Sequence, residues 1–327
     1  MIMIVTKKIA REMVDVLEEI RKEISKQNKE SEKKYPFSEW ERQREKVKKK
    51  LRRLPDYVKK AASMIRTEDE NKAGRPEKIQ NLSKKTMLFL FARLMNKSNR
   101  DAEEVLELFQ PLFEVEVSYK YIERLYSDKE VSMVLHNLFI LLLQDEDISG
   151  NFSGDGTGYS FTVTRHYRSD PKKSGKKYGY AFRMIDLDTG MYVGFGYSNK
   201  SEKEAFDKAI EMIKDFGIEM DSVTLDKYYS SGKILKIFGE KTKVYAIPKK
   251  NISKIGFEWS RVIKRIIENP FDFMKTYFKR NLSESGFSSD KRRFGWIIRQ
   301  RREDRKETAM FTTTLLHNIF FVRVKVS

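Results

Sequence analysis

At Asp145 the sequence changes its period, and that change constrains the fold more than any other feature of the chain. Before it, apolar residues recur every three or four positions, as on amphipathic helices. After it comes NFSGDGTGYSFTVT at 151–164, rich in Gly, Thr and aromatics, which reads as a strand. Two further strand-like runs, 178–186 and 191–197, are joined by a turn at Asp188-Thr189-Gly190. A helix follows at 201–216, with Ala205, Ala209, Met212 and Phe216 on one face. Then come a strand at 222–226, a helix near 231–238 and a strand at 243–247. Three antiparallel strands followed by alternating helix and strand predict a mixed sheet covered by helices.

That element order is the order of the ribonuclease H-like fold. The expected class is therefore α/β, a ribonuclease H-like mixed sheet at 148–327 with a helical insert at about 249–276. An all-α region precedes it. Residues 1–72 read as a basic helical region, and 73–147 as a helical domain containing a helix-turn-helix. A first helix at 4–27 carries the stripe Ile9, Met13, Val16, Ile20 and Ile24. A second starts at Ser38, where Ser38 and Glu41 fit a capping box, and Pro55 is expected to stop it. Its polar face holds Arg42, Arg44, Lys46, Lys48, Lys49, Lys50, Arg52 and Arg53, a solvated face or a surface for phosphates. Residues 68–77, with Gly74-Arg75-Pro76, read as a linker, although such a tripeptide also suits a minor-groove arm.

Helices are predicted at 83–96, 101–110, 119–126 and 129–144. Ser98 or Asn99 caps the second of these, Pro111 ends it, and Ser118 caps the third. Ile122 and Leu125 then face inward, while Tyr119, Lys120, Glu123 and Arg124 face a groove of DNA. A plain helical bundle has the same apolar spacing. The run Leu138–Leu143 predicts a buried helix with His136 as a structural histidine.

Composition removes several chemistries. With no cysteine there are no disulfides, zinc ribbons or thiol nucleophiles. Three histidines without close spacing leave no local histidine metal site. No run of eighteen apolar residues exists, so no membrane span is expected, and the first residues lack the pattern of a signal peptide. A net charge of +18, from 66 Lys and Arg against 48 Asp and Glu, points to a polyanionic partner, nucleic acid before membrane.

The stretch Tyr277–Lys291 spaces Tyr277, Arg280, Glu284 and Lys291 by three, four and seven residues. On one helix all four share a face. Either this is a solvated amphipathic stripe, or Glu284 holds a metal while the cations hold phosphates beside it. Asp155 lies inside the first strand and Asp226 at the end of the fourth. In the ribonuclease H-like order these strands are neighbours, and a late helix can bring Glu284 to them. Three carboxylates that close require cations. Two Mg²⁺ ions about 4 Å apart can then activate a water or 3′-hydroxyl and stabilise the leaving oxygen.

Asp155 in SGDGTG, Asp226 in LDKYYSS and the Tyr277/Arg280/Glu284/Lys291 series resemble the catalytic motifs of DDE transposases. The resemblance is to the bacterial and archaeal insertion-sequence group with a Y-x2-R-x3-E-x6-K pattern, and every gap matches. It covers about 148–327 and, more loosely, the helices before it. It implies Asp155, Asp226 and Glu284 as ligands of two Mg²⁺ or Mn²⁺ ions. It implies Tyr277, Arg280 and Lys291 as contacts to the DNA backbone or a displaced base. The implied partners are double-stranded DNA, as terminal inverted repeats and target, and a second copy of the chain on paired ends. The implied location is the prokaryotic nucleoid. Two rival functions share these motifs: a structure-specific nuclease without strand transfer, and a DNA-binding protein with an inactive site.

Other motifs give weaker readings. Gly154, Gly156 and Gly158 are followed by strand, not the helix that dinucleotide binding needs. Asp186 and Asp188 suit a turn better than a metal site. His166 falls in a basic loop, RHYRSDPKKSGKK, placed near DNA. Trp259 and Trp296 are expected in the core, with base stacking as the alternative.

Overall fold

The computed structural model describes residues 5–30, 37–65, 78–113, 116–161, 178–252 and 254–321. Seven helices come first: α1 (Lys7–Glu30), α2 (Phe37–Ser63), α3 (Leu82–Leu94), α4 (Asn99–Glu107), α5 (Gln110–Phe113), α6 (Tyr119–Leu125) and α7 (Lys129–Gln144). The strands β1 (Asn151–Ser160), β2 (Tyr178–Asp186) and β3 (Tyr192–Ser198) follow, then α8 (Glu202–Asp215), β4 (Ser222–Leu225), α9 (Gly232–Ile237) and β5 (Lys243–Tyr245). Four helices close the chain: α10 (Phe257–Glu268), α11 (Pro270–Phe278), α12 (Asn281–Phe294) and α13 (Glu303–Phe320). Gly74-Arg75-Pro76 and the loop around His166 lie outside the described residues.

The sheet runs β3-β2-β1-β4-β5. β1, β2 and β3 pair antiparallel, and β1, β4 and β5 pair parallel. The expected mixed sheet and the adjacency of first and fourth strands are both present. Helix α8 covers one face. It packs so closely that a Cβ on Gly196 would lie 1.9 Å from the Ala205 carbonyl oxygen, so only glycine fits there. α12 and α13 cover the other face. A register shift between Met184 and Ile185 changes the alternation along β3. Tyr192 can therefore turn to α12 while Gly194 and Gly196 turn to α8.

Capping residues set the helical starts. The side chains of Asn81, Ser98, Ser118, Asp128 and Ser201 each accept a backbone N–H from the first turn of their helix. Pro55 does not stop α2 as expected but lies inside it. Its ring is on the exposed side, and Tyr57, Val58 and Ala61 beyond it are buried, so packing holds the helix through the missing hydrogen bond. α2 starts at Phe37, which puts Ser38 inside its first turn. Pro111 likewise sits in the short α5, after α4 has ended at Glu107. His136 is exposed, not buried; it stacks on Phe311 with ring centroids 4.2 Å apart. It falls on the one side of α7 that Val134, Leu135, Leu138 and Phe139 do not use for the core.

The hydrophobic core runs continuously across the division expected at 147. α1 buries Ala10, Val14 and Leu17 and packs against α10 and α11. Lys50 of α2 donates to Glu146 at 3.0 Å and to the Asn318 carbonyl of α13 at 3.3 Å. Arg93 of α3, 5% exposed, donates to Thr313 of α13 at 2.9 Å.

Candidate active site

The parallel register of β1 and β4 pairs Gly154 with Leu225. The next residue after each is an aspartate, so Asp155, still paired within β1, lies beside Asp226. Asp226 stands just past β4, before a 3₁₀ turn at Lys227–Tyr229.

Tyr277, Arg280, Glu284 and Lys291 are not carried on one continuous helix, as the spacing suggested. Tyr277 is the penultimate residue of α11, Arg280 lies in the step between helices, and Glu284 and Lys291 belong to α12. The step is tightened by three-residue hydrogen bonds, Arg280 N to Tyr277 O at 3.1 Å and Ser283 N to Arg280 O at 2.9 Å. The chain turns because the two helices bury different faces. α11 buries Phe273, Met274 and Tyr277, whereas α12 buries Ser283, Gly286, Phe287, Asp290 and Phe294.

The turn aims Arg280 into the acids. Its Nη1 lies 3.0 Å from Glu284 Oε1, 3.4 Å from Asp226 Oδ1 and 3.9 Å from Asp155 Oδ2. The guanidinium also stands over the Tyr277 ring, 5.7 Å from its centroid. Tyr277 is buried, and burial pushes its phenol up to about 12. Burial likewise raises the Asp155 carboxyl to about 6. The Gly156 N–H and Arg280 pull it down, while Asp226 and Glu284 push it up. Burial opposes the Arg280 charge, but Tyr277 and the three carboxylates outweigh it and hold the group above its usual range.

Two cross-links fix α12 to β1 on either side of Asp155. Ser283 Oγ donates to Ser153 Oγ at 2.8 Å. Lys291 Nζ donates to Thr157 Oγ1 at 2.8 Å and to the Gly158 carbonyl at 2.7 Å. Beneath them lies a buried network that sequence reasoning missed. Arg183, fully buried, donates to Tyr159 OH at 2.9 Å and to Asp290 Oδ2 at 3.3 Å. Asp290 also accepts from Tyr192 OH at 3.0 Å and meets His317 Nδ1 at 2.7 Å. An arginine in the strand run YAFRMID was the available signal, because alternation puts it opposite Asp155 on the same face.

The expected base-reading residues lie elsewhere. Lys120 and Arg124 are exposed on α6, Ile122 and Leu125 are buried, and Glu123 is paired with Arg305 of α13. Asp186 is a turn residue, accepting from Ser149 N at 3.0 Å and Thr189 N at 2.8 Å. Trp259 is in the core, 4% exposed. Trp296 is half-buried, and its carbonyl accepts from Ser160 N at 3.2 Å.

Three carboxylates against one guanidinium leave an oxygen-lined cluster of net negative charge. Its donor chemistry suits a hard divalent cation. Among the described residues no such group is closed tightly enough to hold a metal as it stands, and the Arg280 nitrogen lies between the three acids.

No known family profile matches the chain, and no solved structure matches it. Among curated proteins, the chain is 63% identical over 320 residues to the "Probable transposase for insertion sequence element ISA1214" of Archaeoglobus fulgidus, with 98% of each chain covered. The chain belongs to the family of that archaeal protein, named a probable insertion-sequence transposase. Among the described residues no helix is long and apolar enough to cross a membrane.

Proposed function

We propose that this chain is a DDE transposase with a ribonuclease H-like catalytic sheet, which cuts the ends of an insertion sequence and joins the freed 3′-hydroxyl to target DNA. The observation that carries this is the convergence of Asp155, Asp226 and Glu284 within 4 Å of Arg280 Nη1. The sheet order β3-β2-β1-β4-β5 supports the fold assignment, and the relative's name supports the activity.

In this reading the three acids would hold two Mg²⁺ or Mn²⁺ ions, which when bound supply Lewis acidity to the attacking and leaving oxygens. Arg280 would leave the acids for a DNA phosphate, with Tyr277 supporting it from below. Lys291 would lie beside the cleaved end. Lys120 and Arg124 would read the terminal inverted repeats from α6, in a helix-turn-helix made with α4. The exposed cations of α2 would grip phosphates. The chain would act as a homodimer on paired ends, in the nucleoid.

The test separates binding from cutting. Asp155→Asn, Asp226→Asn and Glu284→Gln should each still shift duplex DNA carrying the element's end in a gel. None should nick it with Mg²⁺ or Mn²⁺. Near-normal cutting by any of the three would overturn the assignment.

A further inference from the structure

The far side of α12 from Lys291 and β1 borders a cleft of about 780 Å³ between α2, α12 and the end of α13. This lies within the roughly 300–1,000 Å³ of small-molecule sites. Its chemistry differs from that of the acid cluster. No described residue lining it is acidic, in a chain with 48 carboxylate side chains. Three other clefts, beside Asp221, beside Glu258 and beside Asp304, each include Asp or Glu.

Two kinds of group face one another across it. Arg44, Lys48 and Arg293 bring three positive charges; Lys48 also pairs along α2 with Glu45, which does not line the cleft, Nζ to Oε1 at 2.5 Å. Trp40, Phe320 and Phe321 bring aromatic faces. Trp40, Arg44 and Lys48 stand four residues apart, one above another on α2. Trp40 is 44% exposed, a high value for the largest apolar side chain. Arg293 stands over the aromatic end, its guanidinium carbon 4.2 Å from the Phe320 ring centroid. On α12, between Leu282 and Arg293, the wall has the small residues Ser285, Gly286 and Ser289, which leave width and offer two hydroxyl donors. Aromatic planes beside cations and hydroxyls, with no carboxylate, suit a flat heteroaromatic ring joined to a phosphate.

We propose that this cleft binds unpaired nucleotides of single-stranded DNA, with a base on Trp40 and its phosphates on Arg44, Lys48 and Arg293. A paired base would be enclosed in its duplex and could not reach Trp40. Ser285 follows Glu284 on α12, so a strand in the cleft lies one helix away from the acids. The proposal needs the chain to handle DNA but does not need the acids to cut it.

The experiment uses the full chain in chelator, so that cleavage cannot intervene. A fluorescent thymidine oligonucleotide and a duplex of equal length are titrated with the wild type, Trp40→Ala, Trp40→Phe and Arg44→Gln/Lys48→Gln. Trp40→Ala should weaken single-strand binding by about five-fold or more, change duplex binding by less than about two-fold, and be largely rescued by Trp40→Phe. The double substitution should lower the salt slope for the single strand by about 1.4, at about 0.7 per cation. Photo-crosslinking of the wild type with 5-iododeoxyuridine in the oligonucleotide should mark α2 or the end of α13, and needs no variant to fold. Unchanged single-strand binding by Trp40→Ala, equal losses on both DNAs, or cross-links confined elsewhere would each overturn the proposal. None of these measurements involves cutting, so they fail or succeed apart from the acid assignment.

Discussion

Lys291 reaches from α12 to β1, where its Nζ donates to the hydroxyl of Thr157 at 2.8 Å, two residues beyond Asp155. The same nitrogen donates to the Gly158 carbonyl and stands 5.0 Å from the centroid of the Tyr159 ring. It therefore ties the helix of Glu284 to the strand of Asp155. Hydrogen bonds to charged groups contribute about 1.5–3 kcal/mol each, net of the exchange with water.

Lys291→Met should accordingly lower the melting temperature by a few degrees and slow end cutting. Calorimetry and a cutting assay on the same preparations check this. An unchanged melting temperature, with a lower salt slope for DNA, would assign Lys291 to DNA alone.

Asp155 predicts a pH dependence. Its folded carboxyl is raised to about 6 from an ordinary 3.8, chiefly by burial. A raised acid favours the protonated folded state, so this group costs stability as pH rises from about 4 to about 6. Cation binding needs the ionised form. Mn²⁺ affinity should therefore climb with pH through about 6, and Asp155→Asn should flatten that rise. Paramagnetic resonance of free Mn²⁺ measures it, and an affinity flat across that range in the wild type would count against the site.

Arg183 and Asp290 are both fully buried and 3.3 Å apart. Removing one partner leaves a buried charge with less compensation, which typically costs about 3–5 kcal/mol. Arg183→Met and Asp290→Asn should each destabilise the fold by that order. The double variant should lose less than their sum. Denaturant melts of all four proteins decide it, and strict additivity would mean the pair is not coupled.

Lys120 and Arg124 are exposed on α6, free to meet base edges, whereas Arg52 lies on the outer face of α2. Replacing either α6 cation with Ala should erode preference for the element's end over random duplex by about five- to a hundred-fold. Arg52→Ala should weaken both DNAs alike. Competition binding checks the contrast, and an unchanged preference in the α6 variants would place sequence reading elsewhere.

The strands could be read from the chain because their cues were local, and the caps at Ser98 and Ser118 from single residues. The pairing that sets Asp155 beside Asp226 joins distant segments and was read from the ribonuclease H-like order. What could not be read depends on distant neighbours. Nothing near Pro55 announces that Tyr57 and Val58 will be buried against α7 and carry the helix past it. The break at Arg280 is invisible in a spacing that fits one helix, because it arises from α11 and α12 burying different faces. His136 looked buried beside the apolar run Leu138–Leu143, yet α7 leaves one side to solvent. The Arg183–Asp290 pair joins residues 107 positions apart, beyond any periodicity.

The bond from Lys50 to the Asn318 carbonyl spans 268 positions. During synthesis at roughly 5–20 residues per second, α2 leaves the ribosome roughly ten seconds to a minute before its partner in α13 exists. α1 similarly waits for α10 and α11. α1 therefore emerges with its apolar face uncovered until α10 and α11 follow, whereas α2 can settle on α3 and α7 but lacks its contacts to α13 until translation is nearly over. A message cut short before α13 should yield a fragment that is degraded instead of one that occupies DNA, so an interrupted copy of the gene would make little competitor for the intact protein.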